Sequence, residues 1–139
     1  MYKIVIPSHK RSKVIRSKVL TFLENHSINK KLIYIFVNAT EFYEYKTELP
    51  EYNIVIGRKG IGPNRMAISE YFGSNEFLVS IDDDVTNLLD KGIPLLDLNL
   101  FITQTFHLLI ANDLSLAGVY PSRNPFFCKN TITTDLRLL

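Results

Sequence analysis

The most informative segment is Phe77-Leu78-Val79-Ser80-Ile81-Asp82-Asp83-Asp84-Val85, an apolar run followed by three consecutive carboxylates. Five residues from Phe77 to Ile81 predict a short buried strand. Three acids at the end of a strand crowd negative charge at the rim of a sheet. That repulsion is costly unless a cation binds there, and a divalent metal carrying a phosphorylated ligand is the obvious candidate. The alternative is a solvated acidic turn, and this segment alone does not decide between the two.

Earlier segments of the chain predict the rest of an α/β fold. Apolar and β-branched runs at residues 3–6, 32–37 and 52–56 indicate three further strands. Apolar residues at helical spacing predict helices from Ser12 to Leu23, over 41–49, from Pro63 to Phe72, and over 95–109. Residues 114–120 suggest a fifth strand. Strands that alternate with helices predict a Rossmann-like, mostly parallel sheet with helices on both faces.

Composition limits the class of protein. The 139 residues are 46% hydrophobic, which predicts one domain spanning 1–139 with its own core. A net charge of +2 gives no overall attraction to nucleic acid or to an anionic membrane. The single Cys128 excludes an internal disulfide framework and a Cys-based zinc site. No apolar stretch reaches the roughly 18 residues of a membrane span, so a cytoplasmic location is the default expectation.

Polar residues follow each of the first four predicted strands. In parallel sheets ligands bind beyond the carboxyl ends of the strands, at a switch point in strand order. We therefore expect these polar residues to converge on one site. They are Ser8, His9 and Arg11 after the first strand, Asn38 after the second, Arg58 and Lys59 after the third, and Asp82 to Asp84 after the fourth.

The carboxylates of Asp82 and Asp84 are candidate metal ligands. Alternate residues at a strand end can point to one side, and carboxylate oxygens favour Mg²⁺ or Mn²⁺. Asp83 would then point elsewhere, towards a sugar or ribose hydroxyl. Such an ion would bridge a diphosphate and stabilise its charge as it leaves.

Several cations could complete such a site. Arg58 and Lys59 lie in a loop with three glycines, and Arg65 is expected in the first turn of the following helix, where backbone N–H groups also favour an anion. Each has a structural alternative. Arg58 and Lys59 would equally suit a solvated turn, and Arg65 could simply pair with Glu70 or another acid.

Three motifs follow one another along the chain: Ile6-Pro7-Ser8 with Lys10-Arg11, then Gly62-Pro63-Asn64-Arg65, then Ile81-Asp82-Asp83-Asp84. In this order they resemble the motifs of nucleotide-sugar glycosyltransferases of the GT-A fold. The acidic triplet is similar to the metal-binding DxD motif of that family. More narrowly, the chain resembles the viral and TET-associated glycosyltransferases, which include enzymes that glucosylate hydroxymethylated DNA bases and enzymes that build glycans in large DNA viruses. Weaker likenesses to the same group lie at Tyr120-Pro121, 124–127 and 133–136.

The resemblance covers residues 3 to about 136 and implies a GT-A-like fold that binds a nucleotide-diphosphate sugar, most simply a UDP-hexose. It implies Mn²⁺ or Mg²⁺ held by Asp82 and Asp84, with a glycan or modified DNA as acceptor and an intracellular setting that includes a virus-infected host cell. Together with the strand-end argument it gives these donor contacts: Pro7, Ser8, Arg11, Asn38, Arg58, Lys59, Arg65 and Asp83.

The chain ends earlier than enzymes of this fold usually do, and their later part carries the acceptor site. We therefore expect a C-terminally shortened domain. An inverting reaction needs a general base, for which Asp135 is the candidate, while Asp84 would contribute to catalysis as a metal ligand. Two other functions stay open. One is a nucleotidyltransferase of similar fold, and the other is a non-catalytic module that binds the donor.

Overall fold

The computed structural model describes residues 1–119. Its strands are β1 (Tyr2–Pro7), β2 (Ile33–Val37), β3 (Asn53–Ile56), β4 (Phe77–Ser80), β5 (Leu89–Asp90) and β6 (Ile93–Pro94). Its α-helices are α1 (Val19–Asn25), α2 (Phe42–Glu48), α3 (Ile61–Phe72) and α4 (Leu98–Ala111). Short 3₁₀ turns lie at Ile15–Ser17, Lys30–Leu32 and Ala39–Glu41.

The first four strands form one parallel sheet in the order β3-β2-β1-β4. In the register, Ile4 of β1 lies between Ile33 of β2 and Val79 of β4. The chain adds strands outwards from β1 to β3, and α3 then returns it to the other side of β1. The strand order therefore reverses between β1 and β4.

Helices cover both faces of this sheet. On one face, inward residues of β1 and β2 such as Ile4 and Ile35 pack with α1, α2 and α4 in the larger core. On the other face, Val5 and Phe36 pack against Ile68 of α3. Because alternate residues of β1 enter different cores, its continuous apolar run is explained by burial on both sides. The predicted α/β architecture, a parallel sheet flanked by helices, is confirmed.

Several boundaries differ from the sequence prediction. Ser12 does not begin an α-helix. A 3₁₀ turn lies at Ile15–Ser17, regular helix starts only at Val19, and the Ser12 hydroxyl donates to the Glu44 carboxylate. Residues 114–119 form no strand, and the rest of that predicted element lies outside the described residues. A two-stranded antiparallel hairpin, β5-β6, lies between β4 and α4 and was not predicted. Within residues 1–119, no helix is long and apolar enough to cross a membrane.

Candidate functional site

The carboxyl ends of β1 and β4 meet at the reversal in strand order. Val5 pairs with Ser80, and the carbonyl of Val5 accepts a hydrogen bond of 3.1 Å from the amide of Ile81. The loop after β1 and the acidic triplet after β4 therefore start side by side. A crevice outside the strand ends at such a reversal is where ligands bind in open α/β sheets.

Asp83 is the recessed member of the triplet. Its side chain is 12% exposed, and its carboxylate accepts hydrogen bonds from the hydroxyl of Ser8 at 2.6 Å and from the guanidinium of Arg11 at 2.7 Å. A buried carboxylate is stable when charged donors satisfy its oxygens. Asp83 therefore joins the two loops. Its expected contact with a sugar or ribose hydroxyl stays a prediction.

Asp82 and Asp84 point outwards instead, with side chains 57% and 62% exposed. Each has an arginine partner at 3.1 Å, Arg65 for Asp82 and Arg11 for Asp84. These arginines relieve the repulsion among three adjacent acids. Arg65 is the fifth residue of α3, beyond the first turn in which it was expected.

A second layer of polar residues, missed at the sequence level, holds the loop after β1. Glu41 is buried, accepts a hydrogen bond from the amide of Lys10 at 2.6 Å, and lies 2.8 Å from Nδ1 of His9. The hydroxyl of Tyr45 accepts from the amide of Arg11 at 2.9 Å and lies 2.8 Å from the hydroxyl of Ser8. Glu41 and Tyr45 are four residues apart, so they face the same side around the start of α2.

Only their spacing could have signalled this layer. A glutamate at i and a tyrosine at i+4 can occur on any helix surface. The choice of Tyr45 over Tyr43 or Tyr52 depends on tertiary packing. In the structure, Tyr45 is fully buried while Tyr43 is exposed.

Burial and neighbouring charges shift the pKa values of two groups here. Burial raises the pKa of Tyr45 above its ordinary value, so the phenol remains protonated at neutral pH. The hydrogen bond to Asp84, followed by the charge of Asp83, raises the pKa of Arg11. The guanidinium is therefore a permanent cation between two carboxylates.

Of the other predicted site residues, those after β2 and β3 lie farther from the acidic triplet. Arg58 pairs through both guanidinium nitrogens with Glu70 of α3, at 2.7 and 3.2 Å, and Lys59 beside it is exposed. Their loop follows β3, three strand spacings from β4, which is about 14 Å. Asn38 follows β2, and its carbonyl accepts from the amide of Glu41. Pro7 ends β1 beside the site, whereas Asp135 lies outside the described residues.

The edge at which β1 and β4 end, with Asp82, Asp83 and Asp84, is called the acidic edge. Two of its carboxylates are of the type that could hold Mg²⁺ or Mn²⁺. Such ions are commonly held by one or two carboxylates together with water and phosphate oxygens, and Asp82 and Asp84 expose two hard carboxylates. Within residues 1–119, no group of three or more His, Cys, Asp or Glu side chains is arranged to hold an ion. A ligand would therefore have to contribute the remaining oxygens.

No protein-family model matches the chain, and no curated protein matches it.

Proposed function

We propose that the protein is a metal-dependent glycosyltransferase that binds a nucleotide-diphosphate sugar, a UDP-hexose in the simplest case, at the edge where β1 and β4 end. The observation that carries the proposal is the pairing of exposed acids with exposed arginines at the reversal in strand order. Asp82 and Asp84 offer oxygens to a metal, while Arg11 and Arg65 lie within 3.1 Å of them and offer positive charge to phosphates. A diphosphate carried by a metal requires both kinds of group.

Each side chain has a separate task in this proposal. When donor and metal bind, Arg65 would turn from Asp82, and Arg11 from Asp84, towards diphosphate oxygens. Arg11 would keep its hydrogen bond to Asp83, and Asp82 and Asp84 would hold Mn²⁺ or Mg²⁺. The bound ion would supply charge stabilisation for the departing diphosphate. Pro7 and Ser8 would border the nucleotide. Asp83, already occupied by Ser8 and Arg11, would keep the loops in place.

The acceptor in this proposal is a glycan hydroxyl or the hydroxymethyl group of a modified DNA base. Such a hydroxyl must lose its proton as the glycosidic bond forms, and a general base has to receive it. Asp135 remains the candidate for this task. The arginine charge at the edge would favour the leaving diphosphate, whose negative charge grows only as the bond to the sugar breaks.

Calorimetric titration of UDP-glucose and of GDP-mannose, with Mn²⁺ or with EDTA, tests the proposal. We expect one donor to bind only with metal, and Asp84→Asn to weaken its binding by about tenfold or more, which corresponds to ~1.4 kcal/mol. Asp113→Asn is the matched control, since it removes the same charge after α4. That helix contacts Tyr2 and Phe77 at the opposite ends of the strands.

Three outcomes would contradict the proposal in different ways. Failure of the wild type to bind either donor with Mn²⁺ would remove its basis. Tighter binding of UTP than of UDP-glucose, with release of pyrophosphate when a sugar phosphate is added, would indicate a nucleotidyltransferase. Donor binding without donor hydrolysis or transfer to any tested acceptor would indicate a non-catalytic binding module.

A further inference from the structure

Four residues form a closed ring of hydrogen bonds behind the acidic edge. The ring runs from the Tyr45 hydroxyl to the Ser8 hydroxyl, then to one oxygen of Asp83, from its other oxygen to the Arg11 guanidinium, and through the Arg11 amide back to Tyr45. All four distances lie between 2.6 and 2.9 Å. The ring includes side chains from the loop after β1, from α2 and from the acidic triplet.

The direction of each hydrogen bond in the ring follows from the number of protons available. Ser8 has one hydroxyl proton, which it donates to Asp83, so its oxygen must accept from Tyr45. The Tyr45 oxygen in turn accepts from the amide of Arg11. The Tyr45 hydroxyl thus donates to Ser8 and accepts from the amide of Arg11, so one group joins both residues of the loop after β1.

The hydroxyl of Tyr45 does something that packing alone does not require. Its side chain is 0% exposed and lies in the larger core, where a phenylalanine ring would fill nearly the same space. Without the hydroxyl, however, the Arg11 amide and the Ser8 oxygen would each lose a partner. The loop also contains Lys10 at φ +54°, a conformation that few residues adopt without support from their neighbours.

We propose that Tyr45 is a positioning residue for the acidic edge. Its hydroxyl fixes Ser8 and the backbone of Arg11, and thereby keeps the Arg11 guanidinium hydrogen-bonded to Asp83, beside Asp84. This inference rests on the proposed function for its consequence, since a correctly placed Arg11 would set the affinity for a metal-bound diphosphate. The hydrogen bonds that position Arg11 involve only residues 8–11, 45 and 83.

Tyr45→Phe compared with Tyr52→Phe tests the inference. Tyr52 is also buried, and its hydroxyl donates to the Glu24 carboxylate at 2.8 Å, outside the ring. We expect the Arg11 amide to exchange its hydrogen about tenfold faster in Tyr45→Phe, the effect of losing one hydrogen bond. The same variant should bind Mn²⁺ with UDP-glucose roughly tenfold more weakly. Tyr52→Phe should leave both quantities unchanged.

A double-mutant cycle gives a readout that general destabilisation would not change. If Tyr45 acts through Ser8, then Ser8→Ala should weaken donor binding much less in the Tyr45→Phe background than in the wild type. Additive effects, or unchanged exchange at Arg11 in Tyr45→Phe, would overturn the inference. If the wild type binds no donor, the proposed function fails, and the exchange rate at Arg11 alone then decides whether Tyr45 positions the loop.

Discussion

The three acids of the triplet are adjacent in sequence but differ in what they do in the folded protein. Asp83 is recessed and accepts two hydrogen bonds, one of them from a guanidinium. Asp82 is more than half exposed and shares a solvent-facing ion pair with Arg65. Exposed pairs contribute little to stability, whereas removing a recessed carboxylate leaves its donors unsatisfied.

Asp83→Ala should therefore lower the free energy of unfolding by about 1.5–3 kcal/mol, the usual value for hydrogen bonds to a charged group. Asp82→Ala, which removes the same atoms one position earlier, should change it by less than about 1 kcal/mol. Urea unfolding of both variants at neutral pH measures the difference. Equal effects would mean that Asp83 does not hold the two loops together.

At the same scale, the sequence predicted some neighbours of the triplet. Ser8, Arg11 and Arg65 were expected near it, and the structure places a side-chain atom of each within 3.1 Å of an acid. Their contact with a donor stays a prediction. Glu41 and Tyr45 were not expected, because their role depends on α2 packing under the loop after β1. One sequence does not reveal such long-range contacts, which here join residues separated by 31 to 37 positions.

At the scale of elements, the connection from β3 to α3 depends on a close contact between Gly57 and the side chain of Asn64. The side chain of Asn64 in α3 is buried, accepts from the amide of Arg58 at 3.2 Å, and donates to the carbonyl of Phe36 in β2 at 3.0 Å. Gly57 leaves the space for it, since a Cβ at this position would overlap Oδ1 of Asn64. The helix is thus anchored to the sheet by a polar contact that needs a glycine opposite.

Gly57→Ala should lower the free energy of unfolding by about 1–3 kcal/mol, because Asn64 would move and leave buried polar groups unpaired. Gly62→Ala is the control, as a Cβ there meets nothing within 4 Å. That change should be neutral or stabilise α3 by about 0.5–1 kcal/mol. Thermal and urea unfolding would check both. A neutral Gly57→Ala would show that Asn64 is not needed to anchor the helix.

Apolar runs explain which strands the sequence could predict. Strands were expected at 32–37 and 52–56, and the structure has them at Ile33–Val37 and Asn53–Ile56, one residue shorter at the start of each. Strands β5 and β6 have two residues each, too few to show any alternation. The helix expected from Ser12 begins only at Val19, and the Ser12 hydroxyl contacts Glu44, a tertiary contact with no local signal.

At the scale of the whole molecule, the order of strands decides which loops can share a ligand. The sequence predicted that all four strand-end loops converge, but it did not give their order. With β1 next to β4, the acids lie beside Ser8 and Arg11, whereas Arg58 and Lys59 follow the far strand β3. Local patterns identify strands; pairing depends on how the helices cross the sheet, and α3 is the crossing that brings β4 beside β1.

The carboxyl ends and the amino ends of the strands form two separate edges of the sheet. A cavity of about 370 Å³ lies at the amino ends of the strands, lined by residues that include Tyr2, His26 and Asp97. The six residues of β1 place this cavity about 20 Å from the acidic edge. The acidic edge has three adjacent carboxylates, whereas Asp97 is the one carboxylate among the residues that line the cavity.

Paramagnetic broadening by Mn²⁺ can distinguish these two edges in one experiment. With substoichiometric Mn²⁺ and UDP-glucose, amide signals of residues 8–11 and 82–85 should broaden most, while Tyr2 and Phe77 at the opposite edge should be spared. Mg²⁺ with the same donor is the diamagnetic control. Because broadening falls steeply with distance, Arg58 and Lys59 after β3 should be affected less than Asn38 after β2. Equal broadening at Arg58 and Arg11 would mean that the loops converge as the sequence alone predicted. The strongest broadening near His26 would place the ion at the opposite edge, which would contradict the proposed chemistry.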